Sequence, residues 1–449
     1  MKKITRRTFL GNSAKTGIAA SGMMTLATSS RVRGANDQIV VGVMGAGGRG
    51  SWLSRAFARM PNVVVAYLCD PDARRLDRPA QQIEEERQPR PKTTQDFRVM
   101  LADPHVDAVV NATPDHWHAL GTILACQAGK HVYCEKPASH SLWEGRKMVE
   151  AARKYNRVVQ LGTQTRSAPY AQHAVERLAA GELGDIHYIK VFNMKTRPEL
   201  VPQPDGPVPE GLNYDLWLGP APMRPYNPNF YGGGNWNWKW EYSGGDIIND
   251  AVHQIDLARW LSGQASPKSV YAVGGIFQLK DNQDSPDTQI VTLEFEKLTM
   301  LIQVTLWTPA LRKIPQLIRD SDLFPNWPFC ATRVEVYGTK GLMQCGRHGG
   351  GWQIFINEEE PGPFEYGRDP SIAHIENFLE CIRTGQRPNA DIEEGHLSTS
   401  LCHLANISYR VGGEKLLFDA TAERFINNGN ANQLLKRTYR HPWVVPEVV

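Results

Sequence analysis

The sequence lacks the residue patterns that most often hold a structural metal. It has seven cysteines, an odd number, and none of them forms a CxxC pair. Several lie in apolar stretches typical of strands or helices, so we expect buried thiols rather than zinc ligands or a disulfide framework. No HExxH motif and no cluster of histidines and aspartates requires a metal either. The sequence therefore predicts no metal site.

An excess of one charge and long apolar runs are also missing. The formal net charge is +3 over 449 residues and no basic block is present, so nucleic acid is not an expected partner. Beyond the N-terminal region, no stretch reaches the roughly 18 consecutive apolar residues typical of a membrane-spanning helix, and we expect a soluble mature protein. The remaining composition is that of a globular protein long enough for two or three domains.

Two arginines near the N-terminus depart from this ordinary composition. Arg6 and Arg7 precede the letters TFL, and a weakly apolar run of small residues follows at 17–27. Residues 29–35 are polar or small and provide a region for cleavage. This layout predicts a twin-arginine signal over residues 1–35 and export by the twin-arginine machinery to the periplasm or otherwise out of the cytoplasm. A short basic tail is the alternative.

The first part of the chain alternates apolar strands with helices. The predicted strands read QIVVGVMG, VVVAYLCD, DAVVNATP, HVYCEKP and RVVQLGT, and amphipathic or apolar stretches of helical length separate most of them. Buried strands joined by helical crossovers are typical of a parallel, doubly wound sheet. We predict an α/β Rossmann domain over residues 36–163.

After about residue 163 the pattern changes. Residues 195–240 are loop-like and rich in proline, glycine and tryptophan, and a helix is predicted from about Gly245 to Leu261. Alternating strands with little helix between them then follow, which indicates a largely antiparallel sheet. We predict that residues 164–449 form an α+β domain with a large, mostly antiparallel open sheet that binds substrate and mediates oligomerisation.

The glycine-rich letters GAGGRG at 45–50 follow a strand and open a helix. In this setting the GxGxxG spacing allows a tight turn and lets backbone N–H groups approach a pyrophosphate at the helix N-terminus. Asp70 ends the next strand, where its carboxylate can accept hydrogen bonds from both ribose hydroxyls and would repel a 2′-phosphate. We therefore expect NAD rather than NADP, although Arg74 and Arg75 lie close enough to soften that preference.

Two side chains are candidates for the reacting centre. Lys136 stands at the end of the fifth strand, where the ligand crevice of such a sheet opens, and its ammonium can stabilise alkoxide character on a substrate oxygen. In the predicted helix from Gly245, Asn249, His253 and Asp256 have the spacing of one face. A histidine among polar residues is a suitable general acid or base, and a purely structural histidine is the alternative.

Taken together, the motifs GAGGRG, ATPDHWHA, GKHVYCEKP, GELGDIHYI, the GGD…H..D helix, VYGTKG and NFLECIRTGQRPNADIEEGH make the chain resemble the Gfo/Idh/MocA oxidoreductases. The resemblance implies a Rossmann domain followed by an α/β domain whose open sheet often forms an oligomer interface, and hence a homodimer or homotetramer. It implies sugars, cyclitols or their keto and glycosidic derivatives as substrates. It also implies that Lys136 and His253 are the catalytic residues.

These motifs predict which residues surround the cofactor and the substrate. For the cofactor we expect contacts from Gly45, Gly47, Gly48, Arg49, Gly50, Asp70, Thr113, Pro114, His118, Glu135 and Lys136. For the substrate we expect contacts from Gln164, Arg166, Trp238, Asn249, Asp250 and His253. Trp238 belongs to the NWNWKW segment, whose aromatic faces suit sugar C–H groups or core packing equally well. Among the polar residues Gln164, Arg166, His116 and His374, a structural use is the favoured alternative.

One position departs from the family pattern. The aspartate usually found four residues before the histidine is Asn249 here, and an amide cannot take a proton. Asp250 is adjacent but would point about 100° away on a helix. Three hypotheses therefore remain: an NAD(P)-dependent oxidoreductase of CH–OH groups, a redox-neutral glycoside hydrolase or lyase using the same parts, and a non-catalytic sugar- or NAD-binding protein. Because an exported protein has little free NAD to exchange, we expect the cofactor to stay bound.

Overall fold

The computed structural model of the chain describes residues 38–231, 234–357 and 361–449. The predicted twin-arginine signal lies outside the described residues. All seven cysteines are buried and unpaired, as expected from their apolar surroundings.

The first sheet has six parallel strands in the order β3-β2-β1-β4-β5-β6. Its strands are β1 (Ile39–Met44), β2 (Val63–Cys69), β3 (Lys92–Thr94), β4 (Ala108–Asn111), β5 (His131–Cys134) and β6 (Val159–Leu161). Its helices are α1 (Gly48–Ala58), α2 (Asp77–Glu85), α3 (Phe97–Ala102), α4 (Asp115–Gln127) and α5 (Leu142–Lys154). The strand order reverses between β1 and β4, so a crevice opens at the carboxyl ends of these two strands. The predicted doubly wound α/β sheet is confirmed.

The second sheet has ten strands in the order β14-β13-β12-β11-β7-β10-β9-β8-β15-β16. These are β7 (Ile186–Met194), β8 (Ser269–Gly275), β9 (Thr288–Glu294), β10 (Thr299–Thr305), β11 (Arg333–Gly338), β12 (Gly341–Gly346), β13 (Trp352–Phe355), β14 (Pro361–Glu365), β15 (Leu416–Asp419) and β16 (Arg424–Phe425). Within this second sheet, β7 and β10 are the only described strands that pair in parallel, so the expectation of a mostly antiparallel sheet is confirmed.

Helices cover one face of this second sheet. The helices of this part are α6 (Pro169–Ala179), α7 (Tyr214–Leu218), α8 (Asp246–Asn249), α9 (Val252–Ser262), α10 (Gln316–Arg319), α11 (Ser371–Thr384), α12 (Ile392–Arg410) and α13 (Gly429–Gln433). Apolar residues of α9 and α12 pack with the inward residues of the strands in one large core. On β8 and β9, outward residues such as Tyr271, Val273 and Ile290 are exposed.

The single helix predicted from Gly245 to Leu261 is wrong, because the structure has two helices there. The four-residue α8 ends at Asn249, and α9 begins at Val252. At the break, Arg347 donates to the backbone oxygen of Asp250 (2.9 Å) and to its carboxylate (2.6 Å). This guanidinium therefore pairs with a backbone oxygen at the break between α8 and α9. The sequence pattern could not indicate this contact.

Candidate active site

A pocket of about 400 Å³ lies at the carboxyl ends of β1, β2 and β4, and the glycine-rich turn forms its base. Gly45 has φ +85°, and a Cβ there would lie 2.6 Å from the backbone oxygen of Ala112. A Cβ on Gly50 would lie 1.7 Å from the oxygen of Gly45, so the turn and the start of α1 cannot accept side chains at either position. Because Gly47 precedes α1 without a side-chain cap, the helix N-terminus is suited to a phosphate.

Asp70 lies in this pocket, at the end of β2. One carboxylate oxygen accepts from the N–H of Ala46 (2.9 Å) and the other from the N–H of Asp72 (3.0 Å). Burial raises the pKa of Asp70 to about 6, so the side chain is an anion at neutral pH. Arg74 is paired with Asp72 at 2.8 Å, whereas Arg75 lines the pocket. The carboxylate is thus fixed where the ribose of a dinucleotide is expected.

The other predicted cofactor residues surround the pocket or support it. Gly47, Gly48, Arg49, Thr113 and Pro114 line it. By contrast, both ring nitrogens of His118 lie within hydrogen-bond distance of backbone oxygens, those of Pro137 (2.6 Å) and Thr113 (2.8 Å). His118 therefore joins two ligand-facing loops, and its ring nitrogens are not free for the cofactor.

Glu135 lines a second cavity, and Arg49 lines both this cavity and the first pocket. Arg49 donates to its carboxylate at 2.7 Å, and the Gln164 amide lies 3.4 Å away. Burial alone would raise the pKa of Glu135, but the positive charges of Arg49 and Lys136 hold it below its ordinary value. The buried carboxylate is thus kept charged and balances the cations around it.

The second cavity, of about 700 Å³, brings Lys136 and His253 together. Gln164 and Arg49 also line it, as do residues of α10 and α11 and His348. Lys136 Nζ donates to the backbone oxygen of Asn249 (2.5 Å) and lies 3.3 Å from its side-chain oxygen. Asn249 therefore holds the lysine ammonium, a role for which the amide oxygen suffices. We refer to this cavity as the reaction cleft.

His253 lines the reaction cleft, where its imidazole is a candidate base. Its side chain is buried, and Nδ1 has no hydrogen-bond partner among the described residues. Burial, followed by neighbouring His348 and the charges of Arg347 and Lys136, lowers the pKa of His253 well below its ordinary value. The imidazole is therefore neutral at physiological pH and able to accept a proton.

Three residues predicted to contact substrate, Arg166, Trp238 and Asp250, do not line the reaction cleft. Arg166 and Asp256 form a buried ion pair at 2.9 Å, and neither is among the residues that line the reaction cleft. Trp238 packs against Leu279 and Leu306, with the Arg197 guanidinium 4.7 Å from its ring centroid. Long-range partners hold both side chains in the interior, and neither side chain lines the reaction cleft.

Asp250, the third of these residues, is also bound by the protein itself. Its carboxylate meets Lys195 at 2.5 Å, Lys313 at 2.6 Å and Arg347 at 2.6 Å. Burial would raise the pKa of Asp250, but these three cations lower it well below its ordinary value. The carboxylate therefore remains ionised within a cluster of charges and does not line the reaction cleft.

The two further histidines considered from sequence are structural. Nε2 of His116 lies 2.9 Å from the backbone oxygen of Trp217. His374 contacts the Leu161 oxygen (2.8 Å) and the Ser167 hydroxyl (2.7 Å). Both rings are fully buried, and neither lines the reaction cleft.

A segment that the sequence showed only as loop closes one side of the cofactor pocket. We call residues 211–231 the covering segment. Its Gly211 oxygen accepts from the N–H of Ala73 (2.9 Å), and the N–H of Asn213 donates to the Pro71 oxygen (2.8 Å). The Tyr231 hydroxyl donates to Asp72 at 2.6 Å. The loop after β2, which begins at Asp70, is thus tied to the covering segment by hydrogen bonds at three successive residues.

The described residues contain no group of three or more His, Cys, Asp or Glu side chains arranged to hold a metal ion. Within the same ranges, no helix has both the length and the apolar character needed to cross a membrane.

Comparison with protein families places three consecutive parts of the chain in one group. Residues 39–163 match a model described as an oxidoreductase family with an NAD-binding Rossmann fold. Residues 222–344 match the GFO/IDH/MocA C-terminal domain, and residues 366–445 match the C-terminal alpha/beta domain of the oxidoreductase family.

Curated relatives and solved structures agree with these matches. The chain is 27% identical to the uncharacterized oxidoreductase YrbE of Bacillus subtilis, over 84% of this chain and 95% of the relative. It is 21% identical to a myo-inositol 2-dehydrogenase of Thermotoga maritima, over 82% and 95% of the two chains. The WlbA dehydrogenase of Bordetella pertussis, solved with NADH and UDP-GlcNAcA, has the same fold, with a TM-score of 0.62 and 23% identity over 85% and 99% of the chains.

Proposed function

The chain belongs to the Gfo/Idh/MocA family of NAD-binding oxidoreductases, and we propose that it oxidises a secondary hydroxyl of a sugar or cyclitol. The observation that carries this proposal is the placement of Lys136 and His253 in one cleft next to the NAD pocket. Relatives whose names include an inositol dehydrogenase and a structure with a sugar nucleotide support a polyhydroxylated substrate.

In the proposed reaction, the chain's residues accept the hydroxyl proton and stabilise the charge on the substrate oxygen. His253 is a neutral imidazole and accepts the proton of the hydroxyl. The Lys136 ammonium has three N–H donors, and its two oxygen contacts on Asn249 leave one to stabilise the developing alkoxide. When bound, NAD⁺ supplies the nicotinamide that takes up the hydride. Asn249 orients Lys136 but cannot relay a proton, so the proton leaves through His253.

A substrate panel tests this proposal. The full chain with NAD⁺ is mixed with aldoses, cyclitols, uronic acids and alkyl glycosides, and reduction of the nicotinamide is followed by absorbance. We expect reduction with at least one cyclitol or sugar and recovery of the matching keto product by mass spectrometry. Binding of a sugar without any reduction would instead support the non-catalytic alternative.

We further propose that NAD is held tightly, because the covering segment is tied to the loop that carries Asp70 and Asp72. Changing Tyr231 to Phe removes the hydrogen bond to Asp72 and is expected to raise the NAD dissociation rate about tenfold. Stopped-flow displacement of NADH by excess NAD⁺ measures that rate. Tyr366→Phe, an exposed tyrosine after β14, is the control and should leave the rate unchanged. Fast release from the unchanged chain would contradict tight binding.

Redox-neutral glycoside cleavage is the second candidate, and the closed side of the cofactor pocket favours it. In that cycle the sugar is oxidised transiently, the aglycone is eliminated and, after water adds, the sugar is reduced again. No external NAD is needed, which suits a cofactor that does not exchange. Release of a chromogenic aglycone without added NAD, and without accumulating NADH, would select this reaction over simple oxidation.

Export by the twin-arginine pathway is also proposed, on the basis of the paired arginines near the N-terminus. That pathway moves folded proteins, which would let NAD cross the membrane already bound. Replacing both Arg6 and Arg7 by lysine should retain the protein in the cytoplasm, as measured by cell fractionation. A lysine variant that still reaches the exported fraction in full would contradict this route.

A homodimer or homotetramer is proposed from the open face of the second sheet. Exposed apolar residues on neighbouring strands, including Tyr271, Val273 and Ile290, give that face the character of an interface. Light scattering of the full chain tests the assembly state, and a monomer at micromolar concentration would contradict it.

A further inference from the structure

A second histidine faces the proposed base inside the reaction cleft. The ring centroids of His348 and His253 are 4.4 Å apart, and the rings meet at 74°. Lys136 and Gln164 line the same cavity, so both imidazoles share the cleft with the lysine that would hold the substrate oxygen. No local sequence pattern marks His348 as a ligand residue, although the letters RHGGG indicate a turn.

The backbone around His348 is built to hold this side chain in place. His348 itself has φ +53°, a left-handed conformation that few residues other than glycine adopt, and Gly349, Gly350 and Gly351 also have positive φ. The N–H of His348 lies 3.3 Å from the Thr165 hydroxyl, and the N–H of Gly349 donates to the Tyr170 hydroxyl at 3.0 Å. Strained residues fixed by their surroundings are concentrated at functional sites.

Polar atoms without partners indicate what this pair of rings can bind. Among the described residues, neither Nδ1 of His253 nor Nε2 of His348 has a hydrogen-bond partner, although both atoms are buried. Burial and the nearby guanidinium of Arg347 lower the pKa of both rings well below the ordinary value. Each neutral ring offers one donor and one acceptor, which matches the hydrogen-bonding capacity of a hydroxyl group.

We propose that His348 is a second substrate-binding residue, which holds the hydroxyl next to the one that His253 deprotonates. The pair then selects a vicinal diol, because two facing imidazoles engage two neighbouring hydroxyls at once. This inference rests on the proposed function and deepens it by naming the substrate feature that the reaction cleft recognises. A substrate lacking the neighbouring hydroxyl would leave a buried ring nitrogen unpaired, which is costly.

Binding is tested without turnover, by NMR of the full chain with bound NADH and ¹⁵N-labelled histidine. The probes are myo-inositol, trans-cyclohexane-1,2-diol and cyclohexanol, and the His348→Asn and His253→Asn variants assign the two rings. We expect myo-inositol and the 1,2-diol to shift the ring nitrogens of both histidines and cyclohexanol to shift at most those of His253. Shifts confined to His253 with every probe, or no shift of either ring, would overturn the proposal.

Kinetics provide a second readout for the same residue. In the unchanged chain, we expect the 1,2-diol to be oxidised with kcat/KM about tenfold above that of cyclohexanol. In His348→Asn this preference should vanish, mainly through a higher KM for the diol. Asparagine tolerates positive φ, and His348→Gly tests the same loss in a residue that accepts the backbone without strain. His173→Asn, on the surface beside Glu365, is the control and should keep the preference.

The outcomes separate this inference from the proposed function. Ring shifts without any nicotinamide reduction would leave His348 as a ligand residue and reject the oxidoreductase chemistry. Nicotinamide reduction with an unchanged diol preference in His348→Asn would retain the chemistry and reject the role of His348.

Discussion

Replacing Lys136 by alanine is expected to lower kcat/KM for the active sugar or cyclitol by about 10²–10³-fold while NAD remains bound. The ammonium lies in the reaction cleft, where two oxygens of Asn249 hold it. Among the side chains of the EKP segment, it is the one that can donate a hydrogen bond to the alkoxide. Its loss removes a stabilising charge from the transition state. The glycine turn and Asp70, which are expected to hold NAD, are untouched.

The measurement is initial-rate absorbance of NADH together with NAD binding by calorimetry. Lys297→Ala, an exposed lysine between β9 and β10, is the control and should behave as the unchanged chain. Full turnover by the Lys136→Ala variant would remove this lysine from the mechanism. Loss of NAD binding together with activity would show that its role is structural instead.

Replacing His253 by asparagine is expected to lower kcat/KM by about 10²–10⁴-fold, the usual contribution of a general base. The asparagine amide keeps a polar group in the buried position but cannot accept the hydroxyl proton. Because the pKa of His253 lies well below its ordinary value, the unchanged chain should show no loss of rate as pH falls from 8 to about 6 through protonation of this ring.

Rates across that pH range and NAD affinity together test the role of His253. NAD affinity should be unchanged in His253→Asn, and His105→Asn, on the exposed loop before β4, serves as the control. A steep loss of rate centred near the ordinary histidine pKa in the unchanged chain would contradict a neutral buried base. Unaltered turnover by His253→Asn would exclude it as the base.

The features that sequence predicts best here depend on short-range patterns. The parallel sheet follows from apolar strands alternating with helices, and the cofactor turn follows from glycines at positions where a Cβ would strike the backbone. Asp70 and Lys136 were located because each ends a strand, and the ends of parallel strands meet at one edge of the sheet.

What sequence could not supply depends on partners far along the chain. The break after α8 coincides with contacts from Arg347 to Asp250, almost one hundred residues away. Arg166 pairs with Asp256, ninety residues away, and does not line the cleft. No local sequence pattern predicts this pairing. The positions of the covering segment and of His348 have no local sequence signal for the same reason, since loops take their position from the surfaces they contact.

A single-turnover experiment tests most directly whether bound NAD⁺ oxidises a polyol hydroxyl with His253 as the base and Lys136 stabilising the substrate oxygen. The full chain, loaded with one equivalent of NAD⁺ and freed of excess, is mixed with the panel of sugars and cyclitols while nicotinamide absorbance is recorded. We predict one burst of reduction, approaching one equivalent for a substrate, which is abolished in Lys136→Ala. Absence of any burst with every sugar and cyclitol, from protein shown to contain NAD⁺, would contradict the account.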